Sequence, residues 1–118
     1  MSNPVVFFEI TGDNVTKLED FYGPLFGWTV ESRPFPGYTY TRAGDAPGIR
    51  AGFRQEVGVP PERLIYIGVA DVKAKLDQAV EAGAQVVVPA KTIPGVGTFA
   101  VFEDVCGNRM GLFEHHPE

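Results

Sequence analysis

The sequence holds a single cysteine, Cys106, in 118 residues, so no intrachain disulfide can form. It has no run of Lys or Arg: ten basic residues are scattered among fifteen acidic ones, for a net charge of −5. The release of counterions that drives binding to nucleic acid or anionic membranes is therefore missing, and neither is expected as a partner. Apolar runs such as Val5 to Phe8 fall far short of the roughly 20 residues a spanning helix requires. Met1-Ser2-Asn3-Pro4 shows no positive stretch ahead of an apolar one, so a cytoplasmic protein is expected. What is present suits a globule: 44% of residues are hydrophobic and 12% aromatic. A chain of this length can bury about two-thirds of its unfolded surface in one domain.

Slid against itself, the sequence repeats. Asp13, Lys17 and Leu18 recur 58 residues on as Asp71, Lys75 and Leu76, giving D-x-x-x-K-L twice, each time just after an apolar run. Val6, Phe8 and Val30 fall on Leu64, Tyr66 and Val88. With one residue of drift, Gly48-Ile49-Arg50-Ala51-Gly52-Phe53 falls on Gly107-Asn108-Arg109-Met110-Gly111, with an aromatic close behind. The modules run from about 1 to 56 and from about 62 to 118, with Gln55 to Arg63 between them.

Periodicity reads each module the same way. Val5 to Thr11 is β-branched and aromatic. Asp13 or Asn14 can cap a helix carrying Val15, Leu18, Phe21, Tyr22 and Leu25, which ends at Gly23-Pro24 or Gly27. Helix capping also absorbs the Asn14-Val15-Thr16 glycosylation match. Strands are predicted at Trp28 to Arg33, Tyr38 to Arg42 and Ile49 to Arg54, the last after a turn at Gly44-Asp45-Ala46-Pro47-Gly48. The second module predicts a strand at Leu64 to Val69, a helix at Val72 to Ala82, and strands at Gln85 to Lys91, Gly97 to Glu103 and Asn108 to Glu114. The expected fold class is α+β: two βαβββ modules forming a curved mixed sheet, helices on its outer face and the other face open to a small molecule.

The segments Val6-Phe7-Phe8-Glu9-Ile10, Phe21-Tyr22-Gly23-Pro24-Leu25-Phe26-Gly27-Trp28, Val69-Ala70-Asp71-Val72, Ile93-Pro94-Gly95-Val96-Gly97 and Gly107-Asn108-Arg109-Met110-Gly111-Leu112-Phe113 together resemble the vicinal oxygen chelate superfamily, the group of glyoxalase I, bleomycin-resistance proteins and extradiol dioxygenases. The resemblance spans the whole chain. It implies a homodimer and, in metal-dependent members, a His, Gln or Glu at symmetric positions on the first and last strands of each module. Here those positions fall at Phe7, Ile65, near Gly52 and at Gly111. None of these side chains can ligate a divalent ion, so neither metal nor other cofactor is expected. Adjacent strand residues point to opposite faces, so His115 and His116 are expected in a solvated tail rather than on one ion. Cys106 occupies a turn, Asp104 to Asn108, where the family usually shows a Pro and a polar residue. It reads as a turn thiol.

Strand alternation puts Phe7 and Glu9 on the ligand-facing side, with Phe8 and Ile10 beneath the helices. Arg50 and Arg54 flank Gly52; Arg109 and Phe113 flank Gly111. Glu9, inside an apolar run, is the candidate base, unless it serves as a structural ion pair with Arg50 or Arg109 or lies at a solvated rim; the arginines could equally clamp an anionic group of a substrate. Trp28, Phe35, Tyr38 and Tyr40 could line the pocket, and Gly52 and Gly111 either open volume for a ligand or let strands pack closely. The expected ligand-binding set is thus Phe7, Glu9, Trp28, Tyr40, Arg50, Gly52, Ile65, Arg109, Gly111 and Phe113. The preferred expectation is a metal-independent protein of this group holding a small organic molecule. A metal-dependent lyase, isomerase or dioxygenase, and a drug-sequestering protein of the bleomycin-resistance type, are the alternatives.

Overall fold

A computed structural model describes residues 2–42 and 48–116. It shows the α+β class and the two βαβββ modules that periodicity predicts. In chain order the elements are β1 (Val5–Gly12), α1 (Val15–Phe26), β2 (Thr29–Ser32), β3 (Tyr38–Arg42), β4 (Arg50–Gln55), β5 (Arg63–Gly68), α2 (Val72–Glu81), β6 (Gln85–Ile93), β7 (Gly97–Glu103) and β8 (Arg109–His115). All but one residue of the turn expected at 44–48 lies outside the described residues. Neither helix is long and apolar enough to cross a membrane.

The chain divides into two compact units, residues 7–64 and residues 1–6 with 65–118. In the first, the strands lie in the order β2, β3, β4, β1. β1 runs parallel to β4 with Glu9 opposite Gly52, and β3 runs antiparallel to β4 with Tyr38 opposite Arg54 and Tyr40 opposite Gly52. In the second, the order is β5, β8, β7, β6, with β5 parallel to β8 and Tyr66 opposite Gly111.

Each helix starts where a short polar side chain can satisfy its first free N–H groups. Asn14 Oδ1 accepts from Thr16 N at 3.0 Å and from Lys17 N at 3.3 Å; Asp71 Oδ1 accepts from Ala74 N at 3.0 Å. Helix α1 runs through Pro24 and stops at Gly27, whose φ of 72° lets its N–H reach Gly23 O at 2.8 Å.

The helices are held differently. Helix α2 buries Val72 and Leu76 in a core with Val69, Ala100 and Leu112. No residue of α1 is fully buried. Its polar anchor is Glu19, which accepts from the buried Thr39 hydroxyl and from Arg33 Nη2 at 2.8 Å. The Arg33 hydrogen bond, with that from Thr39, holds the Glu19 carboxyl below its ordinary pKa despite partial burial. Its apolar anchor is a ring cluster in which Tyr22 stacks on Trp28 at 5.4 Å and packs on Phe53 at 5.6 Å.

Two stability predictions follow from this packing. A Cβ at Gly111 would lie 2.8 Å from Tyr66 Cγ, inside the buried ring. Gly111→Ala is expected to cost about 1–3 kcal/mol in denaturant unfolding, as overpacking does. For Glu19 the folded pKa is lowered, so its contribution is complete above the unfolded value of about 4.3 and disappears as pH falls through the folded value. Thermal unfolding of Glu19→Gln should therefore lie below wild type at pH 7, by about 0.5–1.5 kcal/mol because solvent screens the exposed Arg33, and converge with it in acid.

Candidate functional site

Residues paired across neighbouring strands share a face, and alternate residues along one strand do too. The register therefore collects Phe7 and Glu9 from β1, Tyr38 and Tyr40 from β3, and Arg50, Gly52 and Arg54 from β4 on one side of the first unit. Phe8, Ile10 and Phe53 point to the other side, where Phe53 meets the α1 ring cluster.

The centre of this face is a buried carboxylate. Glu9 is 4% exposed and accepts from the Tyr38 hydroxyl at 2.8 Å and from Arg54 Nε at 3.1 Å. The Arg54 guanidinium also pairs with Glu56. Burying a carboxylate is costly unless it is paired and hydrogen-bonded, and both conditions are met here. Gly52 makes the arrangement possible, since a Cβ there would fall on the Tyr38 hydroxyl. Tyr40 closes the group. Its ring meets Phe7 edge-on at 5.4 Å and Tyr38 at 5.4 Å. Burial, reinforced by the negative charge of Glu9, pushes the Tyr40 phenol up to about 12, while Arg50 and the Tyr38 hydroxyl oppose the rise. Tyr40 is a neutral phenol at any physiological pH.

Several expectations need correction. Glu9 pairs with Arg54, and Arg50, one of the partners expected for it, is paired with Glu31 at 3.2 Å instead. Trp28 lies in the helix-side cluster with Phe8, Tyr22, Phe26 and Phe53 rather than with Glu9. It directly follows Gly27, and the residue after such a cap commonly folds back on the helix it ends; that was the available signal. Gly52 opens no volume for a ligand, because Tyr38 fills the space.

The second unit departs further. Gly111 lies under the Tyr66 ring, and Phe113 packs against Gly97, where a Cβ would lie 2.7 Å from Phe113 Cζ. Arg109 is exposed at the start of β8, opposite Glu103. Ile65 is 43% exposed and shares its strand face with Ile67, which packs on the α2 core, not with Gly111. The reason is register. Glu9 opposes Gly52 as Tyr66 opposes Gly111, so the first strands align one residue short of the offset that matches the helices, and the counterpart of Phe7 is Leu64.

The carboxyl end also differs from the expected frayed tail. His115 ends β8 opposite Gly97, and the His116 ring bonds Glu114 at 2.9 Å and Thr98 at 3.2 Å. Glu114 in turn accepts from Val72 N at 3.0 Å, and that bond, followed by His116, lowers its pKa. Cys106 is exposed in the turn, where Asp104 Oδ1 accepts from its N–H at 2.8 Å.

The family's divalent ion does not fit these residues. Tyrosine rings occupy the space beside Gly52 and Gly111, and the carboxylate nearest the expected position, Glu9, is held by a guanidinium. Among the described residues no group of three or more His, Cys, Asp or Glu could hold a metal ion.

Comparison with known proteins gives the class. Residues 5–112 match the glyoxalase/bleomycin resistance protein/dioxygenase superfamily, and the chain belongs to that family. It is 36% identical over 106 residues to CFP32 of Mycobacterium tuberculosis, a protein named as a glyoxylase, covering 84% of this chain and 41% of that protein. It is 28% identical over 124 residues to the anthracycline biosynthesis protein DnrV of Streptomyces peucetius, covering 91% of this chain and 45% of that one. The chain thus spans less than half the length of these relatives. Among solved structures, methylmalonyl-CoA epimerase from Mycobacterium tuberculosis aligns with a TM-score of 0.68 at 14% identity, over 96% of this chain and 88% of that one. At that identity the likeness concerns the fold.

The carboxylate network predicts its own contribution. Glu9→Ala removes the acceptor for Tyr38 and Arg54, but Arg54 keeps Glu56 and some access to solvent. A loss of about 1–3 kcal/mol is expected in chemical denaturation, with Glu9→Gln less affected.

Proposed function

We propose that the chain binds a small organic molecule against the Tyr40 side of the first unit, without the family's metal. The observation that carries this reading is the Glu9–Tyr38–Arg54 network. The face keeps a hydrogen-bonded carboxylate at its centre with protein partners, beside Tyr40, which is only partly buried, offers an aromatic ring for apolar contact and is backed by the buried Phe7. Binding sites for small molecules combine such apolar lining with a few fixed polar groups. Family membership supports the reading at the level of class, since the family's own description joins glyoxalases, resistance proteins and dioxygenases. It does not select a reaction, and none is assigned. The absence of donor side chains at Phe7, Gly52 and Gly111, and at Leu64, the structural counterpart of Phe7, favours binding without metal.

The test is elemental analysis of purified protein together with a thermal-shift screen of small aromatic and aliphatic acids, alcohols and amides, run with chelator and with added Mn²⁺, Ni²⁺ or Zn²⁺. The expected result is well under one bound ion per chain and stabilisation by some compounds that chelator leaves intact, since a ligand of the folded state raises its unfolding temperature. A stoichiometric ion on which every stabilisation depends would overturn it.

A further inference from the structure

The four arginines from position 33 to position 54 fall into two kinds. Arg33 and Arg54 are hydrogen-bonded to protein: Arg33 Nη2 donates to Glu19 at 2.8 Å and Arg54 Nε donates to Glu9 at 3.1 Å. Arg42 and Arg50 differ. Each has a charge contact with Glu31, Arg50 Nη1 at 3.2 Å from Oε1 and Arg42 Nη1 at 3.7 Å from Oε2, yet neither guanidinium makes a hydrogen bond to another described residue. Exposure does not explain the difference, since the Arg33 side chain at 59% is as open as Arg42 at 61% and Arg50 at 54%. A guanidinium presents five N–H donors in a fixed fork, so both forks keep donors for another acceptor.

Their placement gives those donors a common target. Tyr40 on β3 lies opposite Gly52 on β4, and the same antiparallel register carried two residues further sets Arg42 opposite Arg50, on the face that carries Tyr40. Like charges directly across a strand pair repel. Glu31, on β2 where the register shifts between Val30 and Ser32, offsets one of them and leaves one positive charge in excess among the described residues. Tyr40 stands close enough for both Arg50 and Glu31 to act on its phenol, which stays neutral. It therefore supplies an aromatic surface beside the two arginines without a charge that would repel an anion.

We propose that Arg42 and Arg50 form a subsite for the carboxylate of a small organic acid, which takes the unbonded donors of both guanidinium groups while its apolar part lies on the Tyr40 ring. One ligand carboxylate brings the cluster of two cations and Glu31 to charge balance, and planar forks suit that group. Glu31 has a double part: it holds the two arginines together and competes with the ligand for them. The inference rests on the ligand-binding reading above and adds the ligand's class.

The probes are 3-phenylpropionate and its uncharged amide, 3-phenylpropanamide, each titrated against the full chain by saturation-transfer NMR at low salt. The acid is expected to bind about three- to tenfold more tightly than the amide, the range for a solvent-screened contact between guanidinium and carboxylate, and added salt should narrow that margin. Arg42→Gln and Arg50→Gln should each bring the margin towards one. Glu31→Gln should widen it, because the arginines lose their competing carboxylate; a Glu31 that served only to hold the strands would not tighten the binding of an acid when removed. Lys73→Gln takes the same charge from the second unit and should leave the margin as it is. All four side chains belong to exposed residues, so each variant keeps the fold. Equal affinities for the two probes, a margin that Arg50→Gln or Glu31→Gln leaves intact, or one that Lys73→Gln narrows as much as Arg50→Gln does, overturns the proposal. If neither probe binds the proposal also fails, and the alcohols and amides of the thermal-shift screen then decide separately whether the wider ligand-binding reading survives.

Discussion

A carboxylate buried in an apolar strand governs the first unit. Glu9 lies in Val-Val-Phe-Phe-Glu-Ile, where its neighbours on β1 can offer it nothing, so its partners must come from other strands. They come from β3 and β4, and each requirement passes to the next residue. Tyr38 has to reach Glu9 across β4, so position 52 must have no side chain. Arg54 has to approach from the position opposite Tyr38, so β3 and β4 must pair in one register. A slip of one residue would turn Tyr38 and Arg54 to the opposite face and strand the charge, at a cost of several kcal/mol. The network thus specifies the alignment of β1, β3 and β4 as well as stabilising it.

The duplicated scaffold uses one device twice with different chemistry. In both units a glycine on the last strand lies under a tyrosine ring, but in the first the ring comes from the antiparallel neighbour, Tyr38, and in the second from the parallel neighbour, Tyr66. That change of strand matters. In the first unit it leaves the position opposite the glycine on β1 for Glu9; in the second the tyrosine itself takes that position.

Much of this was legible in the sequence. The element order, the first helix's cap as one of Asp13 and Asn14, and the partition of Phe7 and Glu9 from Phe8 and Ile10 follow from period and punctuation, because they depend on local residue types. The repeat was legible as well, but not its register. The helices repeat at a spacing of 58 and the last strands at 59, while β1 and β5, paired to those last strands in parallel, repeat at 57, which placed Ile65 on the wrong face. Nor could alternation choose between Arg50 and Arg54 for Glu9, since both share its face and stand two residues to either side of Gly52, its opposite number; the difference is that Glu31 engages Arg50. Trp28 was misplaced because its strand begins one residue later than expected, leaving it to the helix cap. His115 and His116 were expected to fray because they are polar and terminal, but pairing of β8 with β7 continues to Gly97, and Glu114 supplies His116 with a partner.

The units also differ in how their helices are bound, and the difference bears on function. Helix α2 is fastened by a small apolar core in which Val72 is fully buried. Helix α1 relies on its caps, a ring cluster and the Glu19 contacts, with Phe21, Leu25 and Phe26 left exposed. Apolar burial is insensitive to small rotations, whereas a carboxylate bonded to a strand hydroxyl is directional. Thr39, which Glu19 engages, lies between Tyr38 and Tyr40 on β3 with its side chain on the opposite face. The helix therefore grips the strand at the residue that separates the two phenols. Ordering that strand from the helix side orders the side that carries Tyr38 and Tyr40 as well, through contacts that no ligand on that side has to disturb.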